Sequence, residues 1–314
     1  MLNDDPTVST RPETRERVLT AARELNYRPN AFGRGLKLQT TSTLGMVIPN
    51  LAYPVNADII RGAEQAAMSA GYVMLLVDAD EFVRAGEAYK RLLLEQRVDG
   101  LLIASGGTQE PVLEDLARHG LPFVLVNRRV SGIGPCVTVD DNRGMQLAVD
   151  YLIGLGHTRI ALIGGPADAD TARRRLAGYR TAMKRAGLPI PRGYVVESAY
   201  EEARGYDAME KLLALSSAPT AVAVWSLAAA AGALAAAHAH GVDIPGRLSM
   251  VGFHDAPIAA YLAPALTTVA MPLREMAERS VDTLIRLIAG ERIGSTVIKT
   301  APRLVERASS GPPP

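Results

Sequence analysis

The sequence predicts an α/β protein built from two Rossmann-like subdomains, and two features of the 314-residue chain lead to this prediction. First, short continuous apolar runs alternate with amphipathic stretches from Thr43 onward, which is typical of strands buried on both faces. Second, each amphipathic stretch ends in glycine, which stops a helix readily because it adopts the left-handed conformation. The apolar runs cover residues 44–49, 72–77, 99–104, 122–127, 159–165, 221–225, 248–253 and 266–271.

The amphipathic stretches are the predicted helices between these strands. They cover residues 57–71, 141–156, 173–187 and 228–241. Alternation of strands and helices with short loops predicts parallel sheets joined by right-handed crossovers. We expect the chain to cross between two such sheets near residue 140 and again near residue 270.

A cleft between the two sheets is the expected ligand site, because open α/β sheets bind ligands outside the carboxyl ends of their strands. No dinucleotide-binding glycine motif and no P-loop follows a strand, so sites for these cofactors are not expected. Gly164-Gly165-Pro166 is interpreted as a plain turn, since a proline stands where a helix-terminal N–H would be needed.

The composition is that of an ordinary globular protein, with 48% hydrophobic and 21% charged residues. The formal net charge of +1 gives no general indication of nucleic-acid binding. Basic residues are nevertheless concentrated between Arg11 and Lys37, where they outnumber the glutamates. A basic segment on a neutral body suits local contact with phosphates.

Few side chains could support metal or covalent chemistry. Cys136 is the one cysteine, which excludes disulfides and cysteine-built metal sites. Of the five histidines only His238 and His240 are close, and residues i and i+2 of a helix do not face each other. No Ser-His-Asp arrangement sits on a nucleophile elbow. We therefore expect no metal site, no cofactor and no enzymatic activity.

No apolar stretch reaches about 18 residues, and the N-terminus carries no secretion signal. We therefore expect no membrane interaction and a cytoplasmic location.

The first forty residues begin with a single predicted helix. Pro12 marks its start, and Thr10 or Arg11 is expected at its cap. An apolar stripe along this helix must pack against a partner. The stripe consists of Val18, Ala22 and Leu25.

Segments along the whole chain resemble the LacI/GalR family of bacterial transcriptional repressors. The resemblance is most specific at YRPNAFGRGLKLQTTSTLGMVIPN, residues 27–50. Further matching segments lie at residues 98–106, 154–165, 174–183, 219–224, 240–253, 264–290 and 304–309. Because the matches are numerous and spread from end to end, the sequence is identified as a member of this family.

The resemblance implies a helix-turn-helix headpiece, a hinge helix and a two-subdomain body of the type I periplasmic-binding-protein-like fold. It also implies that the body forms a homodimer and that a small-molecule effector in its cleft changes operator affinity. We accordingly assign residues 1–27 to a partial headpiece and residues 28–42 to the hinge. The body is assigned as residues 43–140 with 271–297, residues 141–270 with 298–309, and a tail at 310–314.

Leu36 matches the hinge leucine that the family inserts into the minor groove, where new contacts offset the cost of unstacking the bases. The residues expected near phosphates or groove edges are Asn30, Arg34 and Lys37. The alternative is that Leu36 packs on the body as part of a linker. Gly33 and Gly35 each disfavour a helix by about 0.8–1 kcal/mol, so the hinge is expected to fold only on DNA.

Family headpieces have two helices before this point, and the second of them reads the major groove. Met1-Leu2-Asn3 aligns with the tail of that recognition helix, so the headpiece is expected to be incomplete in this chain. A late-assigned start, a trimmed chain and a regulator without a headpiece are the open explanations. We expect specific operator recognition through the full-length headpiece, and not by residues 1–314 alone.

The resemblance also implies which residues contact the effector. Arg175 matches an arginine that grips a ligand hydroxyl or carboxylate, whereas Arg173 and Arg174 are interpreted as solvated helix residues. Tyr200 matches an aromatic residue that stacks on the ligand. Asp141 resembles a cleft-side aspartate, although capping of the helix that follows is an equally good use for it. The loop positions expected to face the cleft are Val55, Asn56, Asn127 and Arg128.

Two positions depart from the family pattern. Trp225-Ser226 stands where Asn-Asp is usual, and His254 replaces the carboxylate most often aimed at sugar hydroxyls. We therefore expect a sugar-related effector or one with an acidic or aromatic part, with Trp225 or Tyr200 as a stacking face. The alternatives are core packing for Trp225 and a backbone-bonded loop position for His254.

The sequence as a whole predicts a ligand-responsive, DNA-binding transcriptional repressor without enzymatic activity. Its expected partners are operator DNA, a small-molecule effector and a second copy of the chain. The alternative is a free solute-binding or sugar-binding protein of the same fold, which the hinge residues 28–40 and the absent secretion signal disfavour.

Overall fold

The computed structural model describes residues 11–25, 40–51, 53–79, 92–95, 97–104 and 110–314. In these residues, strands and helices alternate along the chain and form two six-stranded sheets. The predicted fold class is therefore confirmed. The predicted DNA contacts Asn30, Arg34, Leu36 and Lys37 lie outside the described residues.

The first sheet is entirely parallel. Its strands are β1 (Thr43–Ile48), β2 (Val73–Asp78), β3 (Gly100–Ile103), β4 (Phe123–Val126), β5 (Cys136–Thr138) and β11 (Thr296–Val297). They lie in the order β11-β5-β4-β3-β1-β2. The register places Met46 of β1 between Leu76 and Leu102 on its two neighbours.

The second sheet is parallel except at one edge. Its strands are β6 (Ile160–Gly164), β7 (Val195–Glu197), β8 (Ala221–Val224), β9 (Ser249–Phe253), β10 (Thr267–Ala270) and β12 (Arg303–Val305). They lie in the order β12-β10-β9-β8-β6-β7, and only β12 runs antiparallel to its neighbour β10.

Every predicted apolar run overlaps a strand to within one residue at the strand's ends, and β1, β3, β4, β8 and β9 are buried almost throughout. Burial was wrongly predicted for β2, where Val73 is 68% exposed and Leu75 and Leu76 are each 40% exposed. The reason is its place at the edge of the sheet, which no local pattern reveals. The short strands β5, β7, β11 and β12 were not predicted, because two or three residues carry too little periodicity.

Eight α-helices lie wholly within the described residues. They are α1 (Pro12–Glu24), α2 (Asn56–Ser69), α3 (Glu110–Arg118), α4 (Asp141–Gly154), α5 (Asp170–Arg185), α6 (Glu202–Leu213), α7 (Leu227–Ala239) and α8 (Leu273–Ile288). A 3-10 helix covers Pro257–Ala260. None of the described helices is long and apolar enough to cross a membrane.

The glycine stops predicted for α2, α4, α5 and α7 are confirmed. The glycines that follow these helices have positive φ angles, at Gly71 (81°), Gly156 (100°), Gly187 (69°) and Gly241 (64°). In this left-handed region a side chain would be strained, so glycine ends the helix at the lowest cost.

The predicted start of α1 is also confirmed, with Arg11 at its N-cap and Pro12 in its first turn. None of the residues of α1 is buried. At the end of the predicted apolar stripe, Leu25 is 78% exposed. Packing within the described residues therefore contributes little to holding this helix.

The chain passes between the two sheets close to the predicted points. After β5 it enters α4, which packs on β9 and β10 of the second sheet. After β10 it enters α8, which packs on α2, β3 and β4 of the first sheet. It passes once more from β11 to β12. We keep the division into residues 43–140 with 271–297 and residues 141–270 with 298–309 as a proposal.

One carboxylate holds the residues that lead from the predicted hinge into β1. Asp99 Oδ2 accepts a hydrogen bond from Thr40 Oγ1 at 2.6 Å and from the Ser42 backbone N–H at 3.0 Å. Its Oδ1 accepts from both the backbone N–H and the hydroxyl of Thr41, at 2.7 and 2.8 Å. Asp99 immediately precedes β3, so this junction is fixed at the amino ends of the strands.

Residues 309–311 are bound to the second sheet. The Ser309 hydroxyl donates to the carbonyl of Met250 at 2.7 Å and accepts from the N–H of Thr267 at 2.8 Å. His157 is buried between Thr220 and the Gly311 carbonyl, with ring nitrogens 2.9 Å from each. These bonds tie β9 and β10 to the segment that follows β12.

Candidate functional site

Loops from both sheets face each other across a cavity at the carboxyl ends of the parallel strands. Its walls come from the loops after β1, β4, β6, β7, β8 and β9 and from the first turns of α5. Its volume is about 170 Å³ when measured as the space open to the centre of a water molecule, and about 1150 Å³ when all space free of atoms is included, open solvent among it. A cavity of this kind suits a small molecule.

Nine of the ten residues predicted to contact an effector line this cavity. They are Val55, Asn56, Asn127, Arg128, Arg175, Tyr200, Trp225, Ser226 and His254. The tenth, Asp141, is fully buried behind the cavity wall. Sequence position brings these residues together because most of them follow the carboxyl end of a parallel strand.

The helix-capping alternative for Asp141 is wrong. Asp140 is the N-cap of α4, and its Oδ1 accepts a hydrogen bond from the Arg143 N–H at 3.0 Å. Asp141 instead forms ion pairs with Arg174 at 2.5 Å and with Arg175 at 2.7 Å. This buried carboxylate balances charge behind the cavity.

Arg175 lies in the cavity wall but is only 3% exposed. Its Nε donates to Asp141 Oδ1 at 2.7 Å, and its Nη1 donates to the Trp225 carbonyl at 2.6 Å. Its guanidinium carbon lies 4.1 Å from the centroid of the Phe253 ring. The side chain is therefore held on several sides by the protein itself.

The interpretation of Arg174 as a solvated residue is wrong. Its side chain is 13% exposed and bonds to Asp170 at 3.0 Å in addition to Asp141. Its Nη1 donates to the Val139 carbonyl at 2.8 Å. Asp170 and Arg174 are spaced i and i+4 on a helix, and this spacing could have indicated their ion pair from the sequence.

His254 is bonded to a side chain, so the alternative of a histidine bonded to the backbone is wrong. Its Nε2 lies 2.9 Å from Arg175 Nη2. Its φ of 71° is unusual for a residue with a side chain. Burial and the neighbouring Arg175 charge hold the pKa of His254 well below its ordinary value of 6.5. The imidazole is therefore neutral.

Trp225 forms the floor of the cavity and is 2% exposed, which confirms the core-packing alternative. Its ring covers Gly165, where a Cβ atom would collide with the indole. Its Nε1 donates to Ser198 Oγ at 3.0 Å. Tyr200 packs edge-on at 5.1 Å between ring centroids and is 40% exposed, so it is the aromatic ring available for stacking.

Ser226 and Asn56 use part of their hydrogen-bonding capacity within the protein. Ser226 caps α7, where its Oγ accepts from the Ala229 N–H at 3.2 Å. Asn56 Nδ2 donates to the carbonyls of Pro49 at 2.7 Å and Asn50 at 3.0 Å. These two predicted residues therefore shape the cavity wall as well as line it.

Tyr53 is a cavity residue that was not predicted, although an aromatic residue after β1 is the kind of signal that could have found it. Its buried hydroxyl lies near the N-terminus of α7 and makes no hydrogen bond with the described residues. Burial raises the pKa of this phenol above its ordinary value of 10.0. Tyr53 belongs to the first-sheet wall, so its ring reaches toward the second-sheet wall.

Two further contacts join the walls, and they involve Arg129 and Asp170, which were not predicted. The Arg129 backbone N–H donates to Asp170 Oδ2 at 3.1 Å. Arg174 Nη2 donates to the carbonyl of Asn127 at 3.2 Å. The loop after β4 is thus bonded directly to α5.

The charged side chains that line the cavity leave an excess of positive charge. Four arginines contribute, at positions 128, 129, 173 and 175, against the aspartates at 168 and 170. Behind the wall, Asp141 pairs with both Arg174 and Arg175 and offsets one of these two charges. The cavity wall and the residues directly behind it therefore carry a net positive charge.

A family model described as a periplasmic binding protein-like domain matches residues 149–310. The ribose operon repressor of Escherichia coli (strain K12) is 37% identical over 297 residues, which cover 94% of this chain and 90% of that protein. Among solved structures, a LacI family transcriptional regulator from Mycobacterium smegmatis is similar with a TM-score of 0.78 and 35% identity, covering 86% of this chain and 100% of that one.

A second solved structure contains a ligand. It is described as a transcriptional regulator CelR–cellobiose complex, with a TM-score of 0.79 and 30% identity. The similarity covers 98% of this chain and 94% of that one.

Proposed function

The chain belongs to the LacI family of transcriptional regulators, and from this membership we propose that it is a repressor whose small-molecule effector binds in the cavity between the two sheets. The cavity is supported as the effector site by its place at the facing carboxyl ends of the strands. Repressor relatives support a binding role without catalysis.

The observation that carries this proposal is the set of bonds that cross the cavity. The Arg129–Asp170 bond and the Arg174–Asn127 bond join the two walls directly. An effector that enters between the walls must favour one separation of the sheets over another. Such differential binding is the requirement for a ligand to shift a conformational equilibrium.

The proposed output is a change at the hinge. The Asp99 carboxylate binds Thr40 and Thr41 at the amino ends of the strands, so movement of the first sheet moves the start of the hinge with it. Beyond that point we propose that Leu36 inserts into the minor groove of the operator. The proposed contacts with phosphates or groove edges are Asn30, Arg34 and Lys37.

We propose that the effector is a sugar-related or acidic small molecule. The name of the Escherichia coli relative and the cellobiose bound by the CelR regulator support a sugar-related compound. The excess of arginine in the cavity lining supports an acidic group. The exposed face of Tyr200 is the proposed stacking surface.

A homodimer is the proposed assembly, and exposed apolar side chains support it. In the second sheet region Tyr261 is 82% exposed and Ile258 is 46% exposed. In the first sheet region Met68 and Val73 are exposed by 66% and 68%.

Sedimentation velocity is expected to give a dimer, which a Tyr261→Asp substitution weakens. A monomer at micromolar concentration would contradict this assembly.

The regulatory role is tested by mixing the protein with fragmented genomic DNA, recovering the fragments that it binds and sequencing them. Carrying a full-length headpiece, the protein is expected to enrich a two-fold symmetric site, as a dimer requires. Leu36→Ala is expected to reduce the enrichment. A headpiece-bearing protein that binds ligand in its cavity and enriches no site would favour the free solute-binding alternative. DNA binding would place the protein in the cytoplasm.

A further inference from the structure

One side chain of α5 reaches from the second sheet to the edge of the first. Arg174 Nη2 donates to the carbonyl of Asn127 at 3.2 Å and lies 3.3 Å from Asn127 Oδ1. Asn127 directly follows β4, and its φ of 52° is one that asparagine adopts more readily than most residues. Arg174 Nη1 also donates to the carbonyl of Val139, between β5 and α4, at 2.8 Å. One guanidinium therefore holds two points of the chain at the edge of the first sheet.

The same guanidinium is anchored on the second sheet by two carboxylates. Its Nε donates to Asp170 Oδ2 at 3.0 Å, and its Nη1 forms an ion pair with Asp141 at 2.5 Å. The side chains of Arg174, Asp170 and Asp141 are 13%, 15% and 0% exposed. Asp141 belongs to α4 and Asp170 to α5, and both helices pack on the second sheet. The two carboxylates therefore stay beside Arg174 at any separation of the sheets.

Asp170 provides a second bond between the walls. Its Oδ2 accepts from the Arg129 backbone N–H at 3.1 Å as well as from Arg174 Nε. Arg129 stands two residues after Asn127, so the acid and the base of one ion pair both hold the loop after β4. Hydrogen bonds with an ionised partner are about twice as strong as those between neutral groups. The loop is therefore bonded to α5 by charge-assisted contacts at two positions.

These contacts can break and form again without loss of the ion pair. If the walls separate, Asn127 and Arg129 move with the first sheet, whereas Arg174 keeps both carboxylates. A guanidinium that is already held in place loses little further freedom when it bonds the loop again. Every partner belongs to the chain itself, so the bonds require no other molecule. Because residues 127–130 line the cavity, breaking these bonds would widen its mouth.

On the premise that this cavity is the effector site, we propose that the Asp170–Arg174 pair is a latch that keeps the loop after β4 closed on α5. The latch holds the two walls together in the resting protein, and an effector enters or leaves only when the latch opens. Arg174 is accordingly a positioning residue for the regulatory movement, since it acts on the separation of the walls.

Amide hydrogen exchange of the full chain, resolved to single residues, tests the latch at the loop itself. Arg174→Met keeps a long side chain and removes the guanidinium, while Asp141 stays paired with Arg175. We expect exchange of the Arg129 N–H to become about tenfold faster or more, because the loop opens more often. A general loss of stability would instead accelerate the amides of β8 and β9 as well, and urea unfolding measures any such loss.

Arg173→Met is the matched control, because it removes the neighbouring arginine of the same helix. The Arg173 side chain donates to the carbonyls of Ala167 and Asp168, which belong to the second-sheet wall. Exchange of the Arg129 N–H should therefore stay within about twofold of the wild type in this variant.

Fluorescence quenching measures the separation of the walls. Trp225 is the one tryptophan and lies on the floor of the cavity, where it is 2% exposed. Acrylamide is expected to quench it about twofold more strongly in Arg174→Met than in the wild type or in Arg173→Met. Asp170→Ala breaks the pair from its other side and should raise the quenching equally. It serves as the test variant if Arg174→Met does not fold.

The proposal is overturned if a folded Arg174→Met variant leaves either the Arg129 exchange or the Trp225 quenching at the wild-type level. It is also overturned if exchange rises equally in the loop after β4 and in the amides of β8 and β9. Neither measurement uses an effector or DNA, so a failure of the latch and a failure of the regulatory role are distinguishable.

Discussion

Arg175 and Asp141 form a buried ion pair in which Nε and Nη2 of the arginine both lie 2.7 Å from one carboxylate oxygen. Their side chains are 3% and 0% exposed. The arginine belongs to α5 and the aspartate to α4, so the pair joins two helices of the second sheet behind the cavity. Several properties of the site follow from this one relationship.

Asp141→Ala should destabilise the protein by about 3–5 kcal/mol, because removal of one partner leaves buried arginine charge uncompensated. Urea unfolding monitored by circular dichroism measures this change. Asp150→Ala removes the partner of Arg185 in a pair that is about half exposed, and is expected to cost at most about 1 kcal/mol. Equal losses for the two variants would show that the buried network contributes no special stability.

Gly165→Ala should place a methyl group against the Trp225 ring and force the indole away from Ser198. We expect a loss of about 1–3 kcal/mol in unfolding free energy, as for other overpacked cores. Trp225 is the one tryptophan, so its fluorescence reports the displacement directly. Gly294→Ala is the matched control, since a Cβ atom there meets nothing within 4 Å. Unchanged emission in Gly165→Ala would contradict the packing.

Asp99→Ala should release the segment at Thr40 and Thr41 from the base of the first sheet. We expect weaker coupling between effector and DNA, seen as a smaller effect of ligand on DNA affinity in fluorescence anisotropy. Ligand affinity in calorimetry should stay within about twofold, because Asp99 lies at the opposite ends of the strands from the cavity. Asp207→Ala, at an exposed ion pair, provides the control. If the effector changes the DNA affinity of Asp99→Ala as much as that of the wild type, Asp99 does not connect the effector site to the hinge.

Stability should decrease as the solution is acidified below pH 6.5. Burial lowers the pKa of His157 from its ordinary 6.5, so the unfolded chain binds more protons than the folded one below that pH. The contribution of neutral His157 to the free energy of unfolding is complete above pH 6.5. It is lost as the pH falls from 6.5 through the folded-state pKa of His157. His157→Gln should reduce the dependence, by less than about 1.4 kcal/mol per pH unit, in urea unfolding from pH 7 to 5. If the free energy of unfolding varies with pH equally in the wild type and in His157→Gln, this role of His157 is contradicted.

The cavity was predictable in outline because its residues follow predictable strands. Val55 and Asn127 lie in loops after the apolar runs of β1 and β4, and parallel topology brings such loops to one edge. The same reasoning placed Trp225 and His254 after β8 and β9. The partners of these side chains were not predictable, because they come from elements distant in the chain.

Arg173 and Arg174 show this limit most clearly. Both lie within one helical turn of Asp170, at i+3 and i+4, so the local spacing predicts an ion pair for either residue and does not separate them. In the structure the side chain of Arg173 is 56% exposed and that of Arg174 is 13% exposed. Neighbouring residues of a helix point in different directions, and only Arg174 points toward Asp141 on α4. The choice between them depends on how the two helices pack.

The sequence by itself determined the alternation of strands and helices, the glycine helix stops, the family and the loops that line the cavity. These depend on local periodicity and on the topology that parallel sheets impose. Only the tertiary structure decided that β2 is an exposed edge, that Asp140 caps α4, and that Asp141 holds Arg175 against His254. Such pairings depend on the relative positions of packed elements, and a buried charge takes whichever partner that packing brings within hydrogen-bond distance.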